Sequence, residues 1–202
     1  MSASDDAIDS HDPERRKLLT RASAAAGGLA LAGASVPFVA SLWPSERARA
    51  AGAPVEVDLG ALRPAELRTV EWRGNPVWIL RRTPEMLARL ESIRPLLTDA
   101  DSTVTSQQPD YARNPTRSRD PEVFVAVALC THLGCIPSYY PEPGSVGPGW
   151  PGGFYCPCHG SKFDFAGRVY RGSPAPTNLV IPPYAFAGED RLVLGLDDVR
   201  AT

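Results

Sequence analysis

Charge of one sign is what this chain most plainly lacks. Its 202 residues carry 21 Lys and Arg against 23 Asp and Glu, a formal net charge of −2. No basic stripe or cluster stands out in the domain, so nucleic acid is excluded as a partner class. Sulfur and imidazole are also scarce, with four cysteines and three histidines. No two cysteines have the C-x2-C spacing that closes most structural zinc sites, and no C-x-x-C-H is present to attach a haem. No internal repeat is found, and apolar runs after Val55 are short. Proline (21) and glycine (17) are plentiful instead. That balance suggests a loop-rich β domain large enough to bury its own core, with an appendage.

The appendage is N-terminal. An acidic start leads to "RRKLL" at 15–19, and from Ala22 to Ser45 no residue is charged. A span of that length crosses a hydrocarbon core of about 30 Å as a helix. Pro37 would kink it without breaking it, and Trp43 sits where an interfacial aromatic belongs. Arg15, Arg16, Lys17 and Arg21 crowd the front, against Arg47 and Arg49 behind. The front side is therefore expected to stay in the cytoplasm. A buried Ala-rich core helix is the plainer alternative. A second is a cleaved export signal, because "ARA" at 48–50 fits a small-residue cleavage site. The paired arginines before a mildly apolar span resemble a twin-arginine signal, a route that exports proteins already folded. The expected division is 1–21 cytoplasmic, 22–44 transmembrane helix, 45–54 flexible linker and 55–202 folded domain. Fully extended, that linker reaches at most roughly 35 Å.

Beyond the linker, β-rich runs fall at 55–59, 67–72, 77–82, 123–129, 154–156, 162–165, 178–181, 184–187 and 192–194. "RGNP" at 73–76 and "AGED" at 187–190 read as hairpin turns. "TPEMLARLESI" opens with an N-cap threonine and a proline, and its apolar spacing has helical period. The polar stretch 98–122 reads as a long surface excursion. Short strands with turns predict an antiparallel sandwich or barrel.

All four cysteines and two of the three histidines lie in "CTHLGC" at 130–135 and "CPCHGS" at 156–161. Structural zinc is the commonest use of such clusters, but each block here offers one Cys-His pair plus a spare cysteine. A pure disulfide framework leaves both histidines without a role, and four cysteines allow three pairings. A nucleophilic cysteine needs no three companions.

The two blocks closely resemble those of the Rieske iron–sulfur proteins. The resemblance implies an all-β, antiparallel Rieske-type sandwich with an inserted small cluster-binding subdomain, here about 128–176, behind one N-terminal transmembrane helix. It implies one 2Fe–2S cluster, with Cys130 and Cys156 on one iron and His132 and His159 on the other. It also implies a Cys135–Cys158 disulfide tying the two loops. Two ferric ions, two sulfides and two thiolates sum to about zero charge, against about −2 with four thiolates, so the cluster accepts an electron more readily. Gly134 and Gly160 let backbone N–H groups approach, and those donors with the Ser161 hydroxyl favour the reduced state. Leu133 would cover the cluster, or serve only as an ordinary packing residue. Phe163 stands where many of these proteins carry a tyrosine that donates to a ligand sulfur.

Cytosolic Rieske oxygenases generally lack the extra cysteine pair, and a reducing compartment disfavours a structural disulfide. "VEWRGNPVWILRRTPEML", "QQPDYARN" and "WPGGFYCPCHGS" are similar to the Rieske subunit of proteobacterial ubiquinol–cytochrome c reductase, and "GSPAP" at 172–176 to its proline loop. The likeness spans essentially the whole chain. It implies that the exposed His132 and His159 imidazoles meet ubiquinol, since ferric iron makes a bound imidazole more acidic. The head would then swing on its linker and pass the electron to the c-type cytochrome subunit. The second quinol electron would go to cytochrome b, driving proton translocation. Implied too are membrane lipid around the anchor, a dimeric complex, and a bacterial inner-membrane location with the cluster domain in the periplasm. The small Rieske subunit of a periplasmic oxidase such as arsenite oxidase is the alternative, and a structural zinc module the blander one.

Overall fold

A computed structural model describes residues 13–45 and 52–197. It separates into two compact units, 1–49 and 50–202. The first contains α1 (Pro13–Ser41), 29 residues with none buried. It is long and apolar enough to cross a membrane. The helix starts earlier than the apolar stretch suggested, because Pro13 suits a first helical turn and Lys17 pairs with Glu14 at 3.1 Å. Arg15, Arg16, Lys17 and Arg21 therefore lie on the helix itself. It ends three residues before the expected 44, since a residue preceding proline, here Trp43 before Pro44, disfavours the α conformation. Of the expected linker, 46–51 lies outside the described residues, as do 1–12 and the possible cleavage site.

The second unit holds three three-stranded antiparallel sheets. In the first, β1 (Val55–Asp58) pairs with β9 (Arg191–Leu194), which pairs with β8 (Tyr184–Phe186). In the second, β3 (Asn75–Arg81) is central between β2 (Leu67–Trp72) and β4 (Val123–Val127). Its Val77, Trp78, Ile79 and Leu80 are all buried, which explains a continuous apolar run where an alternating one was possible. Trp72 pairs with Asn75, so the β2–β3 hairpin closes on Arg73 and Gly74 alone. Both have positive φ, +52° and +73°, the pattern of a tight two-residue turn that follows the strand twist. After β3, α2 (Pro84–Ser92) starts where expected, its Met86 N–H donating to the Thr83 hydroxyl at 3.3 Å.

The third sheet lies in the chain between β4 and β8. It comprises β5 (Ser138–Tyr140), β6 (Gly153–Tyr155) and β7 (Lys162–Phe163). Phe154 on β6 joins it to the second sheet, stacking on Trp78 with ring centroids 4.5 Å apart and also touching the Phe124 and Tyr139 rings. One buried core thus runs from β1 to Cys130 and Cys156.

Three expectations need correction. Residues 178–181 form no strand: Leu179 N–H bonds to Gly167 O, Ile181 N–H to Gln107 O, and Val180 O accepts from Val127. Three unrelated partners replace a ladder. Residues 138–140 form strand β5 although "SYY" between Pro137 and Pro141 reads as a turn region, because they pair with β6. The 98–122 stretch is not simply superficial, since Ser102, Gln108, Ala112, Arg117 and Ser118 are buried. Its polar composition marks exposure only when the polar groups lack internal partners, and these find many.

Candidate metal centre

Strand β4 leads into the first Cys-His block and strand β6 into the second. Each block then closes by the same pair of backbone hydrogen bonds. Cys130 N–H donates to Cys135 O at 2.7 Å, and Gly134 N–H to Cys130 O at 2.9 Å. Directly after β6, Cys156 N–H donates to Ser161 O at 2.8 Å and Gly160 N–H to Cys156 O at 2.9 Å. The fifth residue of each turn is glycine, with φ of +79° at Gly134 and +80° at Gly160. Other residues rarely adopt that left-handed conformation. Two equivalent six-residue turns therefore present their side chains toward each other.

The first residue of each turn, Cys130 and Cys156, is a buried free thiol, 2% exposed in both cases. The His132 and His159 rings meet at right angles, 4.8 Å between centroids. His132 is half-buried, and its Nδ1 is inaccessible to solvent and has no hydrogen-bond partner. Cys135 and Cys158 form a disulfide across 23 residues of sequence, joining the turns as expected. Their sulfurs and that of Cys156 lie within 4.8 Å of one another. Two of those three are consumed by the disulfide, so they offer no thiolate to a metal. Burial pushes the Cys156 thiol up, the Cys158 N–H pulls it down, and the adjacent Cys130 pushes it up again. A metal would reverse that balance by binding the thiolate. Two buried thiols, two imidazoles and an orphaned ring nitrogen suit an iron–sulfur group with mixed ligands.

A third segment braces both turns. Ala175 N–H donates to the buried Ser161 hydroxyl at 3.0 Å, and Lys162 N–H to the Ser173 hydroxyl at 3.1 Å. From the other turn, the Thr131 hydroxyl donates to Thr177 O at 2.7 Å. The role of Thr131 was not read from the sequence, where one threonine between a cysteine and a histidine carries no signal. At the tip, Leu133 is 71% and Ile136 56% exposed. Leu133 is therefore no ordinary packing residue of the core. Ile136 adds to that apolar tip, and an isoleucine between a disulfide cysteine and Pro137 is the one sequence signal for it.

Sheet, paired turns and disulfide together define a Rieske-type iron–sulfur protein. Residues 99–184 match the family model described as Rieske [2Fe-2S] domain, and 6–45 that described as Ubiquitinol-cytochrome C reductase Fe-S subunit TAT signal. The chain belongs to the ubiquinol–cytochrome c reductase iron–sulfur subunit family. It is 54% identical over 185 residues to that subunit of Allochromatium vinosum, covering 91% of this chain and 89% of the relative. The corresponding protein of Blastochloris viridis is 38% identical, over 93% and 96% of the two chains. A solved chain titled "Hyperthermophilic respiratory Complex III" is 29% identical with a TM-score of 0.46, covering 87% of this chain and 98% of that one. The periplasmic-oxidase alternative is not favoured, and the domain match sets the zinc module aside.

Proposed function

We propose that Cys130 and Cys156 bind one iron of the 2Fe–2S cluster and that His132 and His159 bind the other, in the electron-transfer subunit of a ubiquinol–cytochrome c reductase. The buried, partnerless Nδ1 of His132 is the observation that carries the assignment. A buried ring nitrogen without a partner costs about 1–3 kcal/mol, and an iron ligand removes that cost. When bound, the cluster supplies a one-electron couple of higher potential than all-cysteine clusters. In each imidazole one nitrogen serves the metal, and the other remains to accept a proton from ubiquinol's hydroxyl. Leu133 and Ile136 give the tip an apolar rim suited to excluding water around that hydrogen bond. Backbone N–H groups near Gly134 and Gly160, and the Ser161 hydroxyl, stabilise the negative charge gained on reduction.

The partners are cytochrome b and the c-type cytochrome, which receives the electron, in a dimeric complex. Helix α1 contacts lipid in the bacterial inner membrane, with 1–21 in the cytoplasm and the cluster domain in the periplasm. The basic residues at the helix start support that orientation. The 45–54 segment then acts as the linker on which the head moves.

Electron paramagnetic resonance of the purified complex tests the ligand set, with a mixed-ligand 2Fe–2S signal expected and a colourless zinc protein the refuting result. The anchor is tested by mass spectrometry of the mature chain. An N-terminus at Ala51 would exclude it.

A further inference from the structure

Directly after β7, the chain makes a tight loop, 164–168, held by three buried arginines. Arg168 is paired with Asp164 at 2.7 Å, both side chains being fully buried. Arg82 donates to Phe165 O at 3.2 Å, and Arg117 to Ala166 O at 3.1 Å and Gly167 O at 3.4 Å. The remaining partners of Arg82 are Pro121 O, Thr116 O and the Ser118 hydroxyl. Those of Arg117 are Leu179 O, Gln107 O and the Gln108 side-chain oxygen. Every one is neutral. Asp164 is thus the single buried carboxylate against three buried guanidiniums among the described residues. Asp99, half-buried, and Asp120, exposed, are the other carboxylates that act on them.

Burial lowers both Arg82 and Arg117 to about 10, which leaves them charged at neutral pH. Arg117 also holds a strained left-handed backbone, φ +50°, a conformation unfavourable for a residue with a Cβ. Burying uncompensated charge is expensive, and a neutral amide could satisfy several of the same carbonyls. The loop lies close to the ligands: Asp164 is three residues from Ser161, whose carbonyl accepts from Cys156. Chain reach puts the Phe165, Ala166 and Gly167 carbonyls that the two arginines grip within roughly 25 Å of Cys156.

Resting on the cluster assignment above, we infer that Arg82 and Arg117 tune the iron–sulfur centre, their buried charge, held by neutral hydrogen-bond partners, favouring the reduced state. One-electron reduction adds one negative charge at the centre, and fixed positive charge behind it lowers the free energy of that state. Buried charges escape most salt screening.

The test is a redox titration of the membrane-bound complex, followed by the cluster's paramagnetic resonance signal, for R82Q, R117Q, R117K and D164N. Each glutamine variant is expected to weaken reduction roughly three- to tenfold, about 30–60 mV at 59 mV per tenfold. R117K should restore the parent potential, and D164N should shift it the opposite way. Unmoved glutamine variants, or a D164N potential that falls with them, would overturn the inference, since loosened packing moves all three together. Loss of the signal in every variant, R117K included, would assign these residues to folding and also overturn it. Absence of a Rieske signal in the parent would instead sink the cluster assignment itself.

Discussion

Removing the Ser161 hydroxyl should separate two functions that share one oxygen. The side chain is fully buried, and its oxygen accepts the Ala175 N–H at 3.0 Å. Its proton remains free to donate, and a cluster or cysteine sulfur is the acceptor the ligand assignment supplies. Ser161→Ala leaves the amide of Ala175, a buried residue, without a partner, which costs about 1–3 kcal/mol. The loss of a donor to sulfur is worth about 0.5–1.5 kcal/mol, specifically in the reduced state. At 59 mV per tenfold change, the midpoint potential should fall by roughly 20–60 mV. Protein-film voltammetry reads the second effect and thermal unfolding the first. A potential that stays at the parent value while the unfolding temperature drops would refute the sulfur contact. The hydroxyl would then serve only to brace the 172–176 segment.

Other substitutions discriminate between ligand, staple and filler. Cys135→Ser should keep both irons but destabilise the domain by about 2–4 kcal/mol, whereas Cys130→Ser should lose iron; equal iron content in the two, measured by metal analysis, would contradict the pairing of roles. Phe163 is fully buried opposite Phe154, so Phe163→Tyr adds a hydroxyl that must find an acceptor. With a ligand sulfur in reach the potential should rise by roughly 20–60 mV, and a voltammogram that is unmoved or lower would show that this position does not tune the centre. Gly153→Ala would place a Cβ 2.2 Å from Phe163 O, so β6 and β7 must separate; normal expression with a parent-like cluster spectrum would show that the third sheet is not needed to hold the second turn.

Chemistry was more legible in this sequence than packing. Cys130, His132, Cys156 and His159 announce themselves because few functions use that spacing, and the structure brings the two blocks together. Local signals with a steric origin also carried through, such as the Thr83 cap and the Arg73–Gly74 turn. The buried arginines did not. Nothing in "RRTP", "NPTRSRD" or "DFAGRV" separates a guanidinium that turns inward from one that faces water. The decision depends on carbonyls contributed by chain segments far away in sequence. The 178–181 run failed for a related reason: its β-branched residues suit a strand, but its hydrogen-bond partners come from three separate segments.

Contacts within the protein hold the geometry of the two Cys-His turns. Each turn is closed by two backbone bonds and a glycine of positive φ, and the disulfide links them. Thr131 and Ser161 then tie them separately to the 172–177 segment. On the proposed ligand assignment, side chains held this way lose little further freedom when metal binds or when an electron arrives, because packing and hydrogen bonds order them. An electron carrier benefits from that rigidity in both oxidation states. The exposed Leu133 and Ile136 fit the same division: they contribute little to the fold, and their contact energy remains available for whatever docks at the tip.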